Sequence, residues 1–118
     1  MRFPRLVLLA AITLGIGVSA HAHQVNLSTA RVTLGGDRTV VVEVALKGSD
    51  ADRLAGTSVF DAQRDSVDPR LVAASAARII GYVTAHVGVT GLDGSPCEPG
   101  AAVLVPDGDG VIFRNTFS

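Results

Sequence analysis

Apolar and polar positions alternate with a period of two over residues 24–34, but the phase slips. Val25 and Leu27 lie on one side, whereas Ala30, Val32 and Leu34 lie on the other. A strand absorbs such a slip only by inserting a residue, so a bulge is expected near Ser28 or Thr29. Gly35-Gly36-Asp37 then forms a tight turn, and Thr39 to Lys47 resumes the period with Val40, Val42, Val44 and Leu46 on one face. These two segments are expected to pair as a hairpin. Ser49 is placed to cap a short helical turn through Ala55. Asp50 and Asp52 fall in its first turn, where the helix dipole favours negative charge, and Gly56 ends it.

The period changes to that of a helix after Asp68-Pro69, the clearest start signal in the chain. Asp accepts the free N–H groups of a first turn and Pro fits just inside it. A helix is predicted from Pro69 to about Ala85. Leu71, Val72, Ala76, Ile79, Ile80, Tyr82 and Val83 cover most of its circumference and leave Arg70, Ala74 and Arg78 as a narrow exposed stripe, which predicts a largely buried helix. Gly81 weakens it by about 1 kcal/mol relative to Ala and leaves room for a strand to approach. Val87 and Val89 begin a third strand, Asp93–Gly100 is a loop, Ala102–Val105 a fourth strand, and Asp107-Gly108-Asp109-Gly110 turns into a fifth. The order predicts an α+β domain, a small mostly antiparallel sheet of about five strands packed against one main helix. Val111–Ser118 alternates and stops without a turn or polar tail, so the domain is expected to be truncated there, with an unpaired edge strand prone to self-association.

The opening residues belong to a different class. Arg2 and Arg5 precede an uncharged run from Leu6 to Ala20, about the length of a signal-peptide core and short of the roughly 20 residues that span a bilayer. Residues 1–22 are read as a signal peptide. Ala20-His21-Ala22 fills an A-x-A cleavage site that leaves His23 first; cleavage after Ala20 is the alternative. No Arg-Arg pair marks the twin-arginine route, and Cys97 lies too far along to carry a lipid anchor. Removing 22 of 118 residues leaves 96, enough for a single small α+β domain over 23–118. The expected location is periplasmic or extracellular.

Loss of Arg2 and Arg5 moves the net charge from −1 to −3, without the concentrated basic face that nucleic-acid binding needs. No second run is long and apolar enough to be a transmembrane helix of the mature chain. One cysteine is odd arithmetic for an exported protein: Cys97 is a free thiol, pairs between chains, or has its partner beyond the end of this chain, the last being expected.

Histidines are the candidate metal ligands. With His23 first, its imidazole and the α-amine chelate one Cu(II) or Ni(II) ion together; cleavage after Ala20 offers His21-Ala22-His23 instead, and His86 at the end of the main helix is the candidate third ligand. The opening "AHAH" is similar to the processed starts of CopC-like copper carriers, although the methionine-rich or acidic ligands and the Ser-Pro-Ala-Asp-Gly segment of such carriers are missing. Asp61, Gln63 and Asp65 match the first ligands of a calcium loop, but Ser66 stands at the turn glycine and Leu71 or Val72 at the bidentate Glu, as in a decayed loop. Asp107-Gly108-Asp109-Gly110 suits a hairpin turn. No G-x-S-x-G elbow is present, and Cys97, beside Pro96, Glu98 and Pro99, lacks the cations that activate a thiol. No catalytic residue is assigned, and the chain is not expected to be an enzyme.

The "AHAHQVNLS" start, the strand pair, "FDAQRDSVDP", the Ala-rich helix ending "YVTAHVGVTG", and "DGSPCEPG" before "DGDGV" together resemble the extracytoplasmic N-terminal part of HupE/UreJ-like bacterial membrane proteins. The resemblance covers most of residues 23–117. It implies an accessory role beside metal transport and a membrane-protein partner, with a continuing strand that carries a second cysteine and then a bundle of transmembrane helices. Neither continuation is in this sequence, and no metal ligand of the family maps onto a residue here. The sequence-based expectation is therefore a non-enzymatic exported accessory or interaction module without a cofactor. A small copper or nickel binder using His23 is the alternative.

Overall fold

The computed structural model describes residues 28–118. The signal-peptide segment, His21, His23 and the expected strand residues 24–27 lie outside that range. Within it the chain is an α+β fold with one four-stranded antiparallel sheet, a two-stranded ladder and two helices.

β1 (Thr29–Leu34) pairs with β2 (Val40–Lys47), in register from Thr29 opposite Ala45 to Leu34 opposite Val40. From Thr29 onward β1 keeps one phase, with Ala30, Val32 and Leu34 on the same face as Val40, Val42 and Val44; the phase change expected near Ser28 or Thr29 involves residues 24–27, outside the described range. The connecting turn is wider than Gly35-Gly36-Asp37. It closes with the Gly35 amide on the Thr39 carbonyl at 2.8 Å, and its left-handed residue is Arg38 at φ 65°.

β2 runs straight into α1 (Gly48–Ala55), so the helix starts at Gly48 with Lys47 at the cap position, and Ser49 lies inside it rather than capping it. Gly48 is required there: a Cβ would meet Val67 Cγ1 at 2.5 Å and the Asp109 carbonyl at 3.0 Å, the carbonyl that accepts the Gly48 amide. Gly56 closes the helix in the left-handed conformation, φ 69°, as its position in the sequence suggests. A small ladder follows, β3 (Phe60–Asp61) with β4 (Ser66–Val67).

α2 (Pro69–His86) starts as predicted, the Asp68 carboxylate accepting the Arg70 amide at 2.9 Å, and runs one residue past Ala85. It is less buried than predicted. Val72, Ile79 and Val83 form the buried line and Ser75, Ala76, Ile80 and Tyr82 flank it, while Leu71 is 45% exposed and Ala73, Ala77, Gly81, Thr84 and Ala85 face outward. A single sheet layer beneath the helix covers one side of it, so apolar character around the rest of the cylinder finds nothing to pack on.

The expected third strand does not form. Val89 instead closes a loop, its carbonyl accepting the Cys97 amide at 2.8 Å, inside which Gly91 bonds Ser95 and Gly94 takes φ 82°. Residues 98–100 then join the sheet beside the chain's last strand. Pro99 faces Phe117, and the Gly100 amide reaches the Thr116 carbonyl at 2.7 Å. β5 (Val103–Asp107) continues this pairing with β6 (Gly110–Phe117), Val103 facing Arg114. Four steps from Pro99 to Val103 match three from Phe117 to Arg114, which places a bulge at Ala101-Ala102, opposite Asn115.

The strand order β1-β2-β6-β5 corrects the expectation for the chain's last strand. β6 is paired on both sides, with β2 over its whole length and with β5; among the described residues the sheet's edges are β1 and β5. α2 packs on β5 and β6, and α1 on the ends of β2 and β6. The core between these layers holds Leu46, Val111 and Phe113 from the sheet, Val72, Ile79 and Val83 from α2, and Ala51, Val59 and Val67 from the α1 to β4 region. Each fully buried large side chain contributes about 1.5–3 kcal/mol. No helix of the described residues is long and apolar enough to cross a membrane.

Candidate interaction surface

Register decides what the sheet shows on the side away from α2. Arg31, Glu43, Arg114 and Val103 stand side by side across the four strands, because Arg31 pairs with Glu43, Glu43 with Arg114 and Arg114 with Val103. The neighbouring row is Thr29, Ala45, Ile112 and Val105 by the same pairings. Directly opposed residues on one face hold their Cβ atoms about 4.5–5.5 Å apart, so each row is a continuous strip. The first alternates in sign, positive, negative, positive, and the second is small and apolar. Val103 and Val105 are about half exposed, and a shallow groove of about 230 Å³ lies over Thr29, Arg31, Glu43, Ala45 and Ile112. Among the described residues, the ion pairs within 4 Å are Arg53 with Asp50 at 3.5 Å and Arg64 with Asp61 at 3.8 Å. The Arg31, Glu43 and Arg114 heads are thus aligned without being closed onto one another. Such a face can take a partner surface by shape and by charge, since the aligned charges fix register more than they add affinity.

On the covered face the same logic brings out a residue that sequence reasoning missed. Asn115 alternates with Val111, Phe113 and Phe117, faces Val42, is 2% exposed, and its Oδ1 has no hydrogen-bond partner. An amide in the inward phase of an otherwise apolar strand is the signal that would have found it.

Among the described residues, the sequence-derived candidates stand apart from one another. His21 and His23 lie outside the described residues. His86 is exposed at the end of α2, where its Nδ1 sits 2.7 Å from the Tyr82 carbonyl and its ring stacks on Tyr82 with centroids 4.2 Å apart. Asp61 spends its carboxylate on its own turn, accepting the Gln63 amide at 2.9 Å and the Arg64 amide at 3.3 Å, while Asp65 is the turn's left-handed residue at φ 49°. The segment compared with a calcium loop is therefore the tip of the β3–β4 hairpin. Cys97 is a free, half-buried thiol. Among the described residues, no three His, Cys, Asp or Glu side chains converge in a way that would hold a metal ion.

A second hollow, about 480 Å³, lies at the start of α2 between Asp61, Arg64, Ser66, Asp68 and Arg70. Its two arginines are offset by two aspartates, one of which already caps the helix.

No protein family, curated protein or solved structure matches this chain.

Proposed function

We propose that this chain is a non-enzymatic, exported accessory module that binds a membrane-protein partner through the open face of its sheet. One observation carries the reading: the side of the four-stranded sheet away from α2 presents the Arg31, Glu43, Arg114 row beside the apolar Ala45, Ile112, Val105 row. One-sided sheets ordinarily set polar residues on the solvent face, and a partly exposed strip of Val and Ile beside a row of charges has the apolar-core, polar-rim layout of a recognition surface. The resemblance to the extracytoplasmic part of HupE/UreJ-like proteins supports a membrane protein as the partner and the periplasmic or extracellular space as the location.

A photo-reactive amino acid at Ile112 tests this in intact cells. The reading expects a cross-link to a membrane protein from Ile112 and none from Ala77, which is exposed on α2. Sequencing the mature N-terminus tests export independently, and cleavage that leaves His23 first is the expected result. Cross-links of equal yield from both positions, or from neither, would rule out the face as the binding surface.

A further inference from the structure

The two edges of the sheet are built differently. β5 carries Pro106, which cannot donate to a further strand, is offset by the bulge at Ala101-Ala102, and lies under α2. Among the described residues, β1 has none of these devices. Its six residues Thr29–Leu34 are all exposed, contain no proline, and run in unbroken register with β2, and their one charge, Arg31, belongs to the open face rather than pointing inward. On the other face Val32 is 61% and Leu34 79% exposed, on the side of the sheet away from β5, where α2 packs. An unprotected edge with apolar side chains beside it is a template for another strand.

We propose that the strand it accepts is β1 of a second copy of this chain, in antiparallel pairing about a two-fold axis through Val32. The choice of occupant follows from the self-complementarity of Thr-Ala-Arg-Val-Thr-Leu. A two-fold axis normal to the sheet keeps both copies' faces aligned, so opposed residues must share a phase. Centred on Val32, Ala30 meets Leu34 of the partner subunit, small against large. Arg31 meets Thr33 of the partner subunit, so the strand's only charge faces a hydroxyl. Centring on Arg31 would set two guanidinium groups directly opposite, which is destabilising. Centring on Thr33 would leave only residues 32–34 of each β1 in the ladder. The Val32 centre pairs five residues of each strand and yields a continuous eight-stranded sheet. It leaves the Arg31, Glu43, Arg114 row on the open face, and it stands whether or not that face binds a membrane protein. A ladder of this size is small beside the roughly 1,200–2,000 Å² of a stable interface, so the dimer depends on concentration.

Sedimentation equilibrium of the exported chain from micromolar to roughly millimolar concentration is expected to show a monomer–dimer equilibrium. Val32→Lys should leave it monomeric throughout with an unchanged circular dichroism spectrum, since Val32 is exposed and no core packing is lost. A short bis-maleimide reports the register in a Cys97→Ser background. Val32→Cys should cross-link between copies, whereas Leu34→Cys should not, because the two copies of residue 34 lie four residues, about 13 Å, apart along the ladder. A parent chain that stays monomeric, dimers that survive Val32→Lys, or equal cross-linking at 32 and 34 would each overturn the proposal.

Discussion

The carboxylate of Asp52, on α1, accepts the backbone amide of Val59 at 2.7 Å, and Val59 is among the most buried residues of the core. The same side chain takes the Phe60 amide at 2.9 Å and the Thr57 hydroxyl at 2.6 Å. Asp52 thereby ties the exit of α1 to the entry of β3. A hydrogen bond to an ionised group is worth about 1.5–3 kcal/mol, and the Val59 amide has no route to water once its partner is gone. Asp52→Ala should therefore lower unfolding stability by about 3 kcal/mol, after about 0.5 kcal/mol is returned by the better helix propensity of Ala. Asp52→Asn keeps one acceptor oxygen and should lose roughly half as much. Urea unfolding of the two variants checks the order; equal, small losses would mean that the three bonds do not hold the turn.

Asn115 gives the opposite expectation. Its Oδ1 is buried without a partner, opposite Val42 and beside the Ala101-Ala102 bulge. A buried unpaired carbonyl costs about 1–3 kcal/mol, so Asn115→Val should raise stability by about 1 kcal/mol or more. Asn115→Asp puts a charge in the same place and should lower it by several. Thermal unfolding of both decides whether the amide is a liability; a destabilised Asn115→Val would show that its Nδ2 end holds something the gain cannot offset.

What the sequence reveals of this fold is what neighbours along the chain determine. The β1–β2 hairpin, the Asp68-Pro69 start of α2, the Gly56 stop of α1 and the β5–β6 turn each need only local chemistry. The placement of β6 between β2 and β5 depends on contacts between residues about 70 positions apart, which no periodicity contains, and so the last strand looks like an edge when it is interior. The burial of α2 is overestimated for a related reason. Ala, Val and Ile around the cylinder look equally apolar until the number of layers beneath the helix is known. The candidate surface is still less legible, because Arg31, Glu43 and Arg114 become a row only through two registers. Phe60–Val67 hides its hairpin in strands two residues long.

The turns at Asp37 and Asp93 predict a pH dependence with a defined sign. The Thr39 hydroxyl and then the Thr39 amide hold the Asp37 carboxyl below its ordinary 3.8. The Ser95 amide and then the Ser95 hydroxyl do the same for Asp93. Each group's folded pKa is depressed, so its contribution is present above the ordinary carboxylate value and is lost as pH falls through the lower, folded one. In an NMR titration both carboxyls should therefore reach their midpoints below 3.8. Thr39→Val should move the Asp37 midpoint upward and leave that of Asp93 in place. A Thr39→Val midpoint equal to the parent's would exclude the hydroxyl as the cause.

Two glycines that look alike in the sequence should respond in opposite directions to the same substitution. Gly81 lies within α2 on its exposed side, and a Cβ there would meet nothing within 4 Å, so no strand uses the space. Its only effect is the entropy cost of glycine in a helix, and Gly81→Ala should stabilise the protein by about 1 kcal/mol. Gly110 opens β6 opposite Lys47, and a Cβ there would fall on the Leu46 carbonyl oxygen, with Lys47 Cα 3.4 Å away. Those atoms belong to the backbone of the longest ladder in the sheet and cannot rotate aside as a side chain would. Gly110→Ala must push β2 from β6 at the end that also carries the Gly48 to Asp109 bond, and should cost at least 1–3 kcal/mol, the usual range for overpacking. Hydrogen exchange at the Gly48 amide separates the two effects: faster exchange in Gly110→Ala with no change in Gly81→Ala is the expected pattern. Unchanged exchange in Gly110→Ala would mean that the strands accommodate the methyl group without parting.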